Sequence, residues 1–180
     1  MFSNERLIDE CRRALREDSP EKAIREICAR TISARRPSAH EPATPKRSEI
    51  ITLHRSPDLT ILDIIWGPGM TIYPHDHRMW AVIGVYEGCE DNTFFRRTPD
   101  GIVAASARRI EAGETAVLGA QTIHAVTNPL GQCTCALQIY GGDFFAVERS
   151  EFDPVTLEER PFDIEKAKSV FLAANRAMSA

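Results

Sequence analysis

Apolar positions follow different periods in successive parts of the 180-residue chain. Between residues 4 and 35 they return every three or four positions: Leu7, Ile8, Cys11, Ala14 and Leu15, then Ala23, Ile24, Ile27, Cys28 and Ile32. That is the period of a helix burying one face, so two helices are predicted. The second opens with Ser19 as a cap and Pro20 in the first helical position, where a missing N–H costs nothing. Arg35-Arg36-Pro37 to Pro45 is a polar, proline-bearing connector. From about residue 48 to 149 the runs become short and apolar or alternating: Ile50–Leu53, Thr60–Ile65, Trp80–Tyr86, Asn92–Arg96, Ile102–Ser106, Thr115–Leu118, Ala125–Thr127 and Ala136–Tyr140. Turn signals separate them, among them Ser56-Pro57-Asp58, Gly67-Pro68-Gly69, Pro99-Asp100-Gly101 and Asn128-Pro129-Leu130-Gly131. Short strands at this spacing predict an all-β sandwich or barrel. From Asp163 the helical period returns in Ile164, Ala167, Phe171 and Ala174. The expected organisation is a helical segment and linker over 1–46, a β-barrel over 47–155, and a tail and helix over 156–180.

Composition narrows the function classes. Hydrophobic residues at 43% and charged residues at 27% are ordinary for a globular domain. The net charge of −4 argues against nucleic acid or an anionic membrane as partner, since both call for a basic footprint. The longest apolar run, Met79 to Tyr86, is far short of the about 20 residues a membrane span needs. The N-terminus lacks a basic segment leading into an apolar one, so no secretory signal is visible. Five cysteines without framework spacing read as free thiols, and the expected location is the cytoplasm.

The chemistry rests on histidines. His40 falls in the connector and His54 beside a turn; neither is expected to act. His75 and His77 are two apart in what reads as one strand running on through Met79, Ala81, Ile83 and Val85. That parity points both imidazoles to one face, the apolar interior. Buried imidazoles need partners, and a metal ion would satisfy both.

Two spaced patterns carry a resemblance. Gly69-x5-His75-x-His77-x3-Ala81-x6-Gly88 is similar to the first motif of the cupin superfamily, and Gly113-x5-Gly119-x-Gln121-x2-His124-x3-Asn128 to the second. The resemblance implies a mainly β cupin double-stranded β-helix, a jelly-roll barrel, with two N-terminal helices and a C-terminal helix added. It also implies a metal held inside by His75, His77 and His124. Ala81 stands where many cupins carry a ligating glutamate. Three neutral imidazoles leave an iron(II) ion its full positive charge, which favours an anionic ligand such as a thiolate.

The segments His75–Gly88 and Ala136–Phe145 resemble the thiol dioxygenase branch of the cupins, the cysteine and 3-mercaptopropionate dioxygenases. That implies a non-haem iron(II) enzyme adding both atoms of dioxygen to the sulfur of a small mercapto-carboxylate, giving a sulfinate. Zinc, nickel and manganese also accept imidazole, so the metal stays open. The family's Ser-x-His-x-Tyr triad falls here on Ala136, Gln138 and Tyr140. Tyr140 is the retained donor, or else an ordinary core aromatic. Gln138 can bond its phenol but cannot titrate. The cysteine that crosslinks to the tyrosine in some members is absent around Ala81-Val82, and Cys89 reads as structural. Arg149 falls near the family's carboxylate clamp, or forms a surface ion pair; Arg55, before Ser56-Pro57, reads as a turn residue. Arg78 should face away from the metal. The expected partners are a small thiol and dioxygen, with a homodimer allowed. Another metallocupin chemistry, or a non-catalytic ligand-binding cupin, remains the alternative.

Overall fold

The computed structural model describes residues 3–35 and 45–179. His40 and most of the connector therefore lie outside the described residues. Helices α1 (Asn4–Ala14) and α2 (Pro20–Arg35) precede nine strands: β1 (Glu49–Arg55), β2 (Thr60–Trp66), β3 (Thr71–Asp76), β4 (Ala81–Glu87), β5 (Cys89–Thr98), β6 (Gly101–Glu111), β7 (Thr115–Leu118), β8 (Ile123–Thr127) and β9 (Thr134–Tyr140). Two short strands, β10 (Ser150–Phe152) and β11 (Glu159–Pro161), and helix α3 (Ile164–Met178) follow. The strands form two antiparallel sheets, ordered β1-β2-β9-β4-β7 and β11-β10-β3-β8-β5-β6. This is the mainly β double-stranded β-helix with two N-terminal helices and one C-terminal helix that the sequence implied.

The sequence of β4 and β9 explains why one sheet sits in the middle of the molecule. Both strands are apolar on both faces. Ala81, Ile83, Val85, Ala136 and Tyr140 point into the barrel with Leu62, Ile64 and Trp66. Val82, Leu137 and Ile139 point outward onto Ile24, Ile27, Cys28 and Ile32 of α2 and Leu7 and Cys11 of α1. A sheet buried on both faces reads as unbroken hydrophobic runs. Close approach of α2 needs Gly84, where an added Cβ would lie 2.5 Å from Cys28 Sγ. Helix α3 starts on Asp163, whose carboxylate accepts from the amides of Glu165 and Lys166. It lays Ala167 and Phe171 on the barrel, with Phe171 5.5 Å from Trp66 between ring centroids.

The chain departs from the expected strand pattern around the histidines. It does not run as one strand from His75 to Val85: β3 ends at Asp76, and β4, in the other sheet, begins at Ala81. The corner is made by Arg78, which takes a φ of +56°. It is pinned by Asp76, whose buried carboxylate accepts from the Ser150 amide at 2.8 Å and from Arg78 Nε at 2.8 Å. The interior parity of Met79, Ala81, Ile83 and Val85 survives the break. Strands β10 and β11 carried no sequence signal, being three residues each. The second motif's Asn128 is a fold residue: its amide donates to the carbonyls of Trp66, Gly67 and Gln132, and its oxygen accepts from the Leu130 amide and the Thr134 hydroxyl.

Candidate metal centre

His75 and His124 face each other across the β3–β8 ladder, and His77 lies just past the end of β3. All three are buried. Their rings converge: His75 Nε2 is 3.2 Å from His77 Nε2, and His124 Nε2 is 3.4 Å from the same atom. Two of the rings are fixed from behind. His75 Nδ1 is 3.0 Å from the Tyr73 carbonyl oxygen, and His124 Nδ1 is 2.8 Å from Asn92 Oδ1. Because the carbonyl oxygen can only accept, His75 Nδ1 carries the proton and Nε2 is left with its lone pair inward; the amide oxygen of Asn92 does the same for His124. Burial pushes His75 down to about 3, with the nearby Arg149 charge adding to the effect, and holds His77 and His124 well below their ordinary value. Three neutral imidazoles thus aim nitrogens at one small volume. A divalent cation shared by the three rings would satisfy these lone pairs. The residues present fit a metal, and no carboxylate joins the three histidines as a ligand among the described residues. Ala81 sits opposite Tyr140 in the β4–β9 ladder.

Beside the histidines lies a small cavity of about 40 Å³, lined by His75, His124, Gln138, Tyr140, Phe144 and Phe162 among others. That is room for little more than one water-sized or diatomic molecule. Tyr140 packs its ring edge-on to His77 with centroids 5.1 Å apart. Its phenol donates to Gln138 Oε1. Burial holds the phenol above its ordinary value, so it is a neutral donor at neutral pH. Gln138 Nε2 donates in turn to Glu90 Oε1 at 3.3 Å.

Arg149, immediately before β10, is buried to 7% exposure; its Nη1 donates to the Asp76 backbone carbonyl at 3.4 Å, and it forms no ion pair with a carboxylate among the described residues. The surface ion pair considered for it is therefore not formed. Its guanidinium lies between two aromatic rings, 3.6 Å from the centroid of Phe162 and 4.2 Å from that of Phe144. Those rings also touch the histidines, with His75–Phe162 at 5.7 Å and His77–Phe144 at 6.1 Å between centroids. Burial pushes Arg149 down to about 10, so it stays charged at neutral pH. On its far side it borders a surface cavity of about 710 Å³ that shares Phe162 with the inner one.

No family model matches the sequence. Among solved structures the chain is similar to a double-stranded β-helix protein from Klebsiella pneumoniae, with a TM-score of 0.45 and 15% identity over 60% of this chain and 78% of that one. It is similar to a cupin domain from Bordetella pertussis, with a TM-score of 0.40 and 18% identity over 52% of this chain and 92% of that one. It is also similar to a recombinant oxalate oxidase solved with glycolate, with a TM-score of 0.44 and 20% identity over 58% of this chain and 56% of that one.

The structure brings together His75, His77, His124, Tyr140 and Gln138, and places Arg149 one layer of phenyl rings away. It sets others apart. Arg55 ends β1 and forms a forked, exposed pair with Asp143, with Nε and Nη2 at 2.9 to 3.1 Å from the carboxylate. Arg78 binds Asp76 and Ser150 outside the barrel. His54 bonds Ser56 at 3.3 Å. All five cysteines are free and buried. Sequence reasoning missed Glu90 and Asn92, two apart on β5 and facing inward. Their alternation was a readable signal, but nothing in the sequence tells a buried strand carboxylate from a solvated one. Phe144 and Phe162 lie outside regular strands, so no period marked them.

Proposed function

We propose that the chain is a metallocupin of the thiol dioxygenase type, converting a small mercapto-carboxylate to its sulfinate. The observation that carries this is the convergence of three neutral imidazoles with no carboxylate ligand among the described residues. His75, His77 and His124 would hold iron(II). When bound there, iron supplies the redox chemistry that dioxygen needs, and an all-imidazole ligand set leaves it the charge to favour thiolate over thiol.

The chain's own residues do the rest. Arg149 binds the substrate carboxylate: a permanently charged fork with no competing carboxylate suits that group. Tyr140 and Gln138 orient what sits in the cavity. Phe144 and Phe162 exclude water around the reacting sulfur and must shift to admit a substrate longer than the cavity. The overall reaction balances without another reductant: thiolate plus dioxygen gives sulfinate, sulfur losing the electrons that dioxygen gains. The reading needs no nucleic acid or membrane partner, and the free thiols suit the cytoplasm. Among the described residues no helix is long and apolar enough to cross a membrane.

A second reading, favoured by the substitutions at Ala136 and Gln138 and by the small cavity, is a metallocupin using zinc, nickel or manganese or acting on another small molecule. Metal analysis of protein purified without added metal separates the two. The direct test loads the chain with iron(II) and follows oxygen uptake with 3-mercaptopropionate and with cysteine. Thiol-dependent uptake with sulfinate formation is expected. Full iron occupancy with no uptake on either thiol overturns the dioxygenase reading.

A further inference from the structure

The proposed chemistry leaves one inward-facing carboxyl unused. Glu90 on β5 is fully buried. Its Oε1 accepts from Trp66 Nε1 at 2.6 Å and from Gln138 Nε2 at 3.3 Å, while Oε2 has no hydrogen-bond partner among the described residues. Gln138 passes the line on, its Oε1 accepting from the Tyr140 phenol. An unbroken row of hydrogen bonds therefore joins a titratable carboxyl to the phenol that lines the histidine cavity.

The polarity of that row is set at its Glu90 end. An ionised carboxylate can only accept. It commits the Gln138 amide to point its NH2 at Glu90 and its oxygen at Tyr140. The phenol must then spend its single proton on Gln138 and can offer the cavity only lone pairs. A protonated Glu90 can donate instead. With the amide turned over, the carboxyl O–H meets Gln138 Oε1, the Gln138 NH2 meets the phenol oxygen, and the phenol proton is free for the cavity. Trp66 is compatible with both states, since either form of the carboxyl keeps an acceptor oxygen.

We propose that Glu90 is a positioning residue which sets, through Gln138, whether Tyr140 accepts or donates a hydrogen bond in the histidine cavity. The inference rests on the metallocupin reading, because it is at a ligand in that cavity that the phenol's polarity has chemical effect. A donating Tyr140 suits an anion there; an accepting one suits a ligand bearing a proton.

The surroundings leave Glu90 free to change state. Strand β2 presents Trp66 to it, and β9 presents Gln138 and Tyr140. Its own strand supplies Asn92 and Cys89, and β6 supplies Ile110 as ladder partner. The charged groups next along β6, Arg109 and Glu111, are exposed, and Arg109 is paired with Asp91. Burial pushes Glu90 up to about 7.

The test uses the full chain, metal-free and zinc-loaded, with tyrosine ring-labelled for NMR and with infrared difference spectra across pH. The wild type should show a protonated-carboxyl band appearing as pH falls through about 7. A Tyr140 signal, assigned by its loss in Tyr140→Phe, should shift with the same midpoint. In Glu90→Gln the band should vanish, and the Tyr140 signal should hold one position at every pH. Gln138→Leu keeps the carboxyl but cuts the row, so the band should remain while the Tyr140 signal stops titrating. This second variant decides the matter if Glu90→Gln does not fold. A Tyr140 signal that titrates as in the wild type in either variant, or that never moves in the wild type, overturns the inference. Bound zinc is counted on the same samples. A chain that binds no zinc at His75, His77 and His124 overturns the metal site instead, and the tyrosine titration still decides the relay.

Discussion

Asn92 is the residue on which the centre's orientation turns. Its amide oxygen holds His124 Nδ1 at 2.8 Å and so keeps Nε2 aimed at the other two rings. Removing such a partner typically weakens metal affinity about 10- to 100-fold. Asn92→Ala should do so, measured by competition with a chelator, whereas His124→Ala should lose metal altogether. At Arg149 the expected effect is on substrate. Arg149→Gln removes a charged hydrogen-bonding group worth about 1.5–3 kcal/mol, so KM for a mercapto-carboxylate should rise roughly 10- to 100-fold. KM for an uncharged thiol alcohol of the same length should hardly move. Equal effects on both thiols would mean that Arg149 supports the fold rather than the carboxylate. At this scale His75 and His77 were legible, because histidine at two-residue spacing in an apolar run has few structural uses, whereas His124 was singled out only through the resemblance of its motif. Glu90 was not, because its role depends on Trp66 and Gln138 from other strands.

Helix α2 lies directly on β4 at Gly84, where any side chain would meet Cys28 and Ile32. Gly84→Ala should therefore push α2 outward, at about 1–3 kcal/mol by the usual cost of overpacking. A lower denaturant midpoint with an unchanged slope checks it; an unchanged midpoint would show that the helix is not seated as described. The elements themselves were largely readable. The helical stripes and the runs at Thr60–Ile65, Thr115–Leu118 and Ala136–Tyr140 match α1, α2, α3, β2, β7 and β9 closely. The corner between β3 and β4 was hidden, because apolar parity continues across it while the backbone changes sheet. Strand β6 was read short, since residues 103–109 are exposed and no alternation marks its extent.

Acid should destabilise the whole metal-free molecule. Burial keeps the three histidines neutral when folded, and each takes up a proton on unfolding once pH falls below about 6.5. For His75 that penalty grows until about pH 3. Glu90 has the opposite sign: folded, it holds a proton below about 7, which unfolding releases down to its ordinary 4.5. Between pH 4.5 and 6.5 unfolding takes up a net of about two protons, so stability falls with falling pH, by about 3 kcal/mol per pH unit. Urea titrations at about pH 7.5 and 5.5 measure this. Metal should raise stability at the higher pH and steepen the loss, because protons compete for the same nitrogens. A flat profile would show that the histidines are not buried neutral.

What the sequence determined by itself was the period of each segment and the identity of the rare chemical groups, since both are properties of neighbours along the chain. They were enough for a β-barrel with helical ends and for His75 and His77 within it, while His124 was added by the resemblance of the second motif. Only the folded molecule decided which groups meet across strands: Asn92 behind His124, Glu90 behind Gln138, and Arg149 between two phenyl rings. Those pairings come from sheet register and from corners between sheets, which are fixed by packing of distant segments and leave no local mark.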